Sequence, residues 1–110
     1  MYKRGSIILV NLNPQKNNEA GKIRPCIIVS DDTVNEILDL ITIIPCTTNL
    51  LGEGLFRISI SQRDKLEKNC EAMIEQLRGI SKKRIITTLS HLTPNELQKI
   101  EYGMKALLNL

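Results

Sequence analysis

Tryptophan is absent from these 110 residues, phenylalanine occurs once and tyrosine twice, so aromatics are only 3% of the chain. Stacking platforms of Phe, Tyr or Trp therefore cannot be the main device for gripping bases, which disfavours a ribonucleoprotein-type aromatic sheet. Histidine is nearly absent as well. The single copy, His91, cannot supply both imidazoles of a paired-histidine nuclease within one subunit. Its setting in Ser90-His91-Leu92, ahead of a helix start, fits a surface or capping role. There is no HExxH, no carboxylate cluster spaced for two metals and no GxxxxGK[ST] loop, so the sequence implies neither a metal nor any other cofactor. Long apolar runs are missing: the stretch Ile41 to Cys46, interrupted by Thr42, falls far short of the roughly 20 residues that cross a bilayer, so no membrane partner is expected. Met1-Tyr2-Lys3-Arg4-Gly5 runs straight into a strand-like segment without the h-region and cleavage site of a secretory signal, which predicts a cytoplasmic protein.

Cysteine is present but unpaired in pattern. Cys26, Cys46 and Cys70 are odd in number, unequally spaced and without a CxxC pair, so they read as small buried hydrophobes rather than as a disulfide framework or zinc knuckle. What remains, 42% hydrophobic and 25% charged residues, suits one globular domain over residues 1–110. The net charge of +3 lies in residues 61–110, where nine Lys/Arg face six Asp/Glu; residues 1–60 carry six of each. A surplus this small permits a polyanionic partner without requiring one.

Short apolar stretches rich in Ile and Val, broken by turn formers, predict strands at Ser6–Leu12, Ile23–Ser30, Asp39–Cys46, Leu55–Ser61 and Ala72–Arg78. Phe56 to Ser61 alternates apolar and polar at period two, as a half-buried antiparallel strand does. The polar stretch Asn13 to Lys22 and the Gly52-Glu53-Gly54 turn are expected as exposed loops, Asp31-Asp32 as a turn or helix start, and Ser81 as the cap of a short turn through Lys82-Lys83-Arg84. Thr93-Pro94-Asn95-Glu96 supplies N-cap, N1 proline and capping-box glutamate, with Leu92 and Leu97 as a hydrophobic staple. From there Leu97, Ile100, Met104, Leu107 and Leu108 fall on one helical face. The predicted architecture is mainly β with α: a strongly curved antiparallel sheet or small barrel closed by a C-terminal helix.

Polar residues at strand ends and loops are the remaining chemistry. Arg24 enters the second strand, Thr47 and Thr48 end the third, and Gln76 and Arg78 lie near the end of the fifth, all suited to holding a phosphate.

Four segments give these positions context: Lys3 to Pro14 (KRGSIILVNLNP), Gly21 to Asp32 (GKIRPCIIVSDD), Pro45-Cys46-Thr47-Thr48, and Glu75 to Ile85 (EQLRGISKKRI). In order and spacing they resemble the MazF/PemK family of bacterial toxin endoribonucleases, whose corresponding runs read K-R-G-D-apolar-D-L-x-P, G-x-x-R-P-apolar-V-x-x-D, a similar third-strand ending, and E-Q-I-R-T-I-D-K-x-R-L. The resemblance covers nearly the whole length. It implies an SH3-like barrel of the CcdB-PemK kind, a homodimer, and metal-independent cleavage of single-stranded RNA that leaves a cyclic phosphate and a 5′-hydroxyl. It places the catalytic positions on Arg24 and Thr47, offers Glu19 as general base or RNA-loop contact, and makes Asn17, Asn18, Thr48, Gln76, Arg78 and Lys82 expected RNA contacts. It also implies a cognate acidic antitoxin as partner. The chain departs from the pattern in the first loop, where Asn17-Asn18-Glu19-Ala20 keeps only the glutamate of G-S-E-Q, and in Arg78-Gly79-Ile80-Ser81, which lacks a threonine and an aspartate. Two other readings compete: a CcdB-like gyrase poison, against which the Leu-rich ending without tryptophan argues, and a non-catalytic SH3-like binding module, against which retention of Arg24 and Thr47 argues.

Overall fold

A computed structural model describes residues 2–110. In chain order it forms β1 (Ser6–Asn11), β2 (Ile23–Ile28), α1 (Asp32–Ile37), β3 (Leu40–Thr47), β4 (Arg57–Ile60), β5 (Cys70–Met73), β6 (Arg78–Ser81), β7 (Ile85–His91) and α2 (Pro94–Leu108). Tight 3-10 turns at Ile74–Gln76 and Lys82–Arg84 flank β6. All pairings are antiparallel, in the order β4-β5-β3-β2-β1-β7. The remaining strand, β6, pairs with the first half of β3.

The central strands are buried on both faces, which is why they read as near-continuous apolar runs. Ile7, Ile27, Ile44 and Cys46 join Ile58, Ile74 and Ile100 in one cluster, so α2 covers that face. Their neighbours in sequence, Ile8, Cys26, Ile28, Ile41 and Ile43, form a second cluster with Val10 and Ile80. Because successive side chains point to opposite faces, a one-residue slip in β1, β2 or β3 would exchange the two clusters wholesale. The tie between Arg4 and the helices closes the barrel end: its backbone N–H donates to Asp32 Oδ1 at 2.7 Å, Nε to Val29 O at 2.9 Å and Nη1 to Glu101 Oε2 at 2.7 Å.

Four predicted strands appear within one or two residues of their expected ends, and Asp31 caps α1 by accepting from Thr33 and Val34 N–H. Ser81 accepts from Lys83 N–H as expected of a cap, and the full capping box of Thr93 and Glu96 starts α2. Three expectations fail. The strand predicted at Ala72–Arg78 is broken, because Cys46 pairs with Ala72 and Ile43 with Arg78. Two residues of β3, Ile44 and Pro45, thus face five, Met73 to Leu77, and the excess is looped out as the 3-10 turn carrying Gln76. Leu107 and Leu108 lie exposed rather than packed, since α2 outruns the sheet beneath it. Finally, β7 forms where no strand was expected, on the free edge of β1.

The packing of α2 depends on a missing side chain. A Cβ at Gly103 would stand 2.3 Å from Ile74 Cδ1 and 2.7 Å from Leu55 O, so glycine is what lets the helix approach the 3-10 turn.

Candidate functional site

Arg24 and Thr47 meet because of register. Cys26 pairs with Pro45 across β2 and β3, and the same ladder carried two residues outward sets Arg24 opposite Thr47. Both are half-buried, at the mouth of a cleft of about 430 Å³ lined by Lys22, Arg24, Pro25, Cys46, Thr47 and Thr48 among others. Main-chain carbonyls orient the guanidinium: Nε donates to Gly21 O at 2.8 Å and Nη1 to Cys46 O at 3.4 Å. Of its five N–H donors these use two, and the others are left for a ligand. Thr47 Oγ1 accepts from Asn49 N–H at 3.1 Å, an arrangement that leaves its hydroxyl proton to be donated outward. A planar cationic fork beside a hydroxyl donor matches the non-bridging oxygens of a phosphodiester.

The loops that continue from the two sides of the cleft are held by the segment from Glu71 to Gln76. Thr47 pairs with Glu71 across β3 and β5, and Glu71, 3% exposed, accepts from Leu51 N–H at 3.0 Å, Gly52 N–H at 2.9 Å and Arg57 Nη1 at 3.1 Å. The Leu51 N–H is the chief cause holding its carboxyl below the usual 4.5, with Gly52 and Arg57 acting in the same sense against partial desolvation. On the other side Gln76 bonds the β1–β2 loop: Nε2 donates to Asn18 O at 3.1 Å and Oε1 accepts from Ala20 N–H at 3.0 Å. Arg78 Nη1 lies 3.5 Å from Ala20 O.

The expected site residues therefore divide. Arg24, Thr47 and Thr48 share the cleft. Asn17, Asn18 and Glu19 lie exposed on the loop beside it, and the Glu19 carboxylate makes no hydrogen bond among the described residues. Gln76 and Arg78 turn toward that loop's main chain rather than into the cleft. Lys82 is not brought in: its N–H bonds Asp39 O just ahead of β3, about 26 Å of extended chain away from Thr47. Conversely, a second recess of about 270 Å³ shares Pro25, Thr48 and Cys70 with the cleft and adds Lys65 and Lys68. With Lys22 these lysines outnumber Glu67, which lines the same recess, and leave the rim net basic, of which the mixed-charge run Arg63-Asp64-Lys65-Leu66-Glu67-Lys68 gave no sign.

Beneath the cleft the cysteines are shut away. Burial pushes the Cys26 thiol up to about 12, against the pull of Arg24 and Arg78. The Cys46 thiol is raised by its hydrogen bond with Cys70 and by burial. Among the described residues no three His, Cys, Asp or Glu converge as metal ligands do, and the charged side chains that line the cleft are Lys22 and Arg24. A larger recess of about 590 Å³ between the β3–β4 connection and α2 holds Leu55 and Tyr102, but its charged groups, Glu53 and Lys99, pair with each other at 3.3 Å.

A curved antiparallel barrel closed by a terminal helix, with an arginine fork and a threonine hydroxyl at one strand-end cleft, defines a small β-barrel protein with a cationic polar cleft. Residues 3–108 match the family model described as PemK-like, MazF-like toxin of type II toxin-antitoxin systems. The chain belongs to that family. Endoribonuclease MazF9 of Mycobacterium tuberculosis is 30% identical over 116 residues, covering 100% of this chain and 98% of that protein. Among solved structures, MazF from Deinococcus radiodurans superposes with a TM-score of 0.87 at 19% identity, covering 99% of this chain and 97% of its own. An endoribonuclease solved in complex with its cognate antitoxin from a mycobacterial species gives 0.81 at 18% identity, covering 100% and 97%. These matches agree with the predicted barrel and displace the gyrase-poison alternative. No helix among the described residues is long and apolar enough to cross a membrane.

Proposed function

We propose that the chain is an RNA-cleaving toxin, a sequence-selective endoribonuclease that acts on single strands in the cytoplasm without a metal. The observation that carries this reading is the pairing of Arg24 and Thr47 at one cleft, the guanidinium held by two carbonyls and the hydroxyl oriented by Asn49 N–H. In an RNA the attacking group is the substrate's own 2′-hydroxyl, so the protein has to hold it in line with the phosphorus and stabilise charge on the phosphoryl oxygens. Arg24 binds the non-bridging oxygens and Thr47 donates to the same phosphate. The 5′-oxygen leaves with the electrons of its bond to phosphorus and takes a proton from solvent water, giving a 2′,3′-cyclic phosphate and a 5′-hydroxyl. The unpartnered carboxylate of Glu19 is the candidate acceptor of the 2′-hydroxyl proton, and Asn17, Asn18 and Thr48 contact RNA around it.

The family context and the exposed apolar side chains support two partners. A homodimer buries part of the surface left by side chains such as Ile23 and Ile86, each more than half exposed. A cognate antitoxin with an acidic, partly apolar tail finds lysines at the cleft rim and Leu50 and Leu51 beside it. Cleavage of a long RNA in excess chelator, repeated with 2′-deoxyribose at the scissile nucleotide, tests the chemistry. Cutting is expected to persist with chelator and stop with the deoxy substitution. Chelator-sensitive cutting, or RNA bound and left intact, would refute it.

A further inference from the structure

We infer that Gln76 is a positioning residue, which fixes the Asn18–Ala20 strap and through it sets the guanidinium of Arg24; the inference rests on the RNA-cleaving reading above. The connection is short. Gln76 grips Asn18 O and Ala20 N–H at 3.1 and 3.0 Å, the next residue is Gly21, and the Gly21 carbonyl receives Arg24 Nε at 2.8 Å. There is little slack between these bonds. Ala20 is 8% exposed and packs in the cluster with Cys26 and Met73, and a Cβ at Gly21 would stand 2.4 Å from Gln15 Cβ and 2.8 Å from its Cα. A carboxamide suits the task because it donates and accepts in one plane, pairing with a strap as a neighbouring strand would. The five-against-two mismatch opposite Ile44 and Pro45 is what places it there, since a regular strand through Met73 to Leu77 would have no 3-10 turn to carry Gln76.

This differs from a direct RNA contact in what it disturbs. Losing a contact weakens binding at one base; losing the strap tether displaces Arg24 and slows every substrate. The test compares wild type, Gln76→Met, which keeps length and loses both bonds, and Gln76→Glu, which still accepts from Ala20 N–H but has no proton for Asn18 O at neutral pH. Two readouts are taken: kcat and KM on a single-site RNA oligonucleotide, and hydrogen exchange of the Ala20 amide and the Arg24 Nε–H in the free protein. For Gln76→Met, exchange at both protons is expected to rise on the order of tenfold or more, and kcat to fall by a similar factor with KM little changed. Gln76→Glu is expected to recover part of both. Should the Met variant fail to fold, the Glu variant carries the same comparison at Asn18. A rise in KM with kcat and exchange unchanged would overturn the proposal in favour of a direct contact. If instead the wild-type chain cuts no RNA, the cleavage reading falls, and the exchange data alone still decide whether Gln76 holds Arg24.

Discussion

Replacing Arg24 is the sharpest probe of the cleft, because its three requirements separate by substitution. The side chain contributes charge, a planar fork, and an orientation imposed by Gly21 O and Cys46 O. Arg24→Ala removes all three. Loss of one transition-state donor typically costs on the order of a hundredfold in turnover, which is about 2.7 kcal/mol of barrier, and Arg24 has more than one donor to give. Arg24→Ala is therefore expected to lose a hundredfold or more in kcat. Arg24→Lys keeps the charge, worth about 4 kcal/mol against a phosphate 4 Å away in a medium of dielectric 20, but an ammonium is a point donor without the fork. If it bonds the carbonyls it is drawn from the phosphate, and if it reaches the phosphate nothing orients it. A loss nearer to that of alanine than to wild type is expected, measured by single-turnover cleavage of a short RNA with a single cut site. Near-wild-type turnover in Arg24→Lys would refute the argument, by showing that charge alone suffices and the carbonyl tethers are incidental.

Thr47→Ala is expected to lose on the order of a hundredfold in kcat and Thr48→Ala clearly less, since only Thr47 has its hydroxyl oriented by Asn49 N–H; the opposite ranking in the same assay would overturn the assignment. Gly103→Ala is expected to destabilise by about 1–3 kcal/mol despite alanine's better helix propensity, because Leu55 O cannot rotate away as the tip of Ile74 can; an unchanged thermal midpoint would contradict this. At Glu96, partial burial raises the carboxyl, but the Arg63 fork, with both bonds at 2.6 Å, and Thr93 N–H outweigh it and hold it below 4.5. A depressed carboxyl stabilises the fold fully above the unfolded value near 4.5 and loses that contribution as pH falls through the folded value, so denaturant melts should show a loss on the acid side that Glu96→Gln lacks; the variant itself is expected to lose about 1–3 kcal/mol at neutral pH. Cys26, pushed up to about 12 and fully enclosed, should resist alkylation at pH 8 until denaturant is added; rapid labelling of the native protein would show the core to be open.

Elements with a local cause were legible in the sequence. The capping box at Thr93 and Glu96, the Asp31 cap and the Ser81 cap each follow from residues within one turn, and β1 to β3 follow from their β-branched composition. Elements caused by distant residues were not. The Ala72–Arg78 segment has the composition of one strand, and only its two partners on β3 reveal that it must break at Ile74. In β7 the run Ile85-Ile86-Thr87-Thr88 carried the β-branched signal, but three successive exposed residues leave no alternation to read. For the site, Arg24 and Thr47 stood out by residue type at strand ends. Lys65 and Lys68 did not, since nothing in a solvated charge run says that it borders Pro25 and Thr48.

The division of labour within the cleft follows from what the tethers grip. Arg24 and Thr47 stand on paired strands, and the bonds that orient them come from main-chain groups of Gly21, Cys46 and Asn49. Gln76 likewise holds the β1–β2 loop by Asn18 O and Ala20 N–H, and Glu71 holds the opposite loop by the N–H groups of Leu51 and Gly52. None of these bonds depends on a loop side chain. The identity of Asn18 can therefore change without releasing the strap or disturbing the fork, and that of Asn17 among residues that accept its φ of 52°, whereas Gly21 cannot, because any Cβ there runs into the Gln15 backbone. Under the proposed chemistry, exchanging such side chains changes what the loop presents to RNA while Arg24, Thr47 and the Glu19 carboxylate stay in place. On the proposed reading, this accounts physically for a chain that retains Arg24, Thr47 and Glu19 while the rest of its first loop departs from the family pattern.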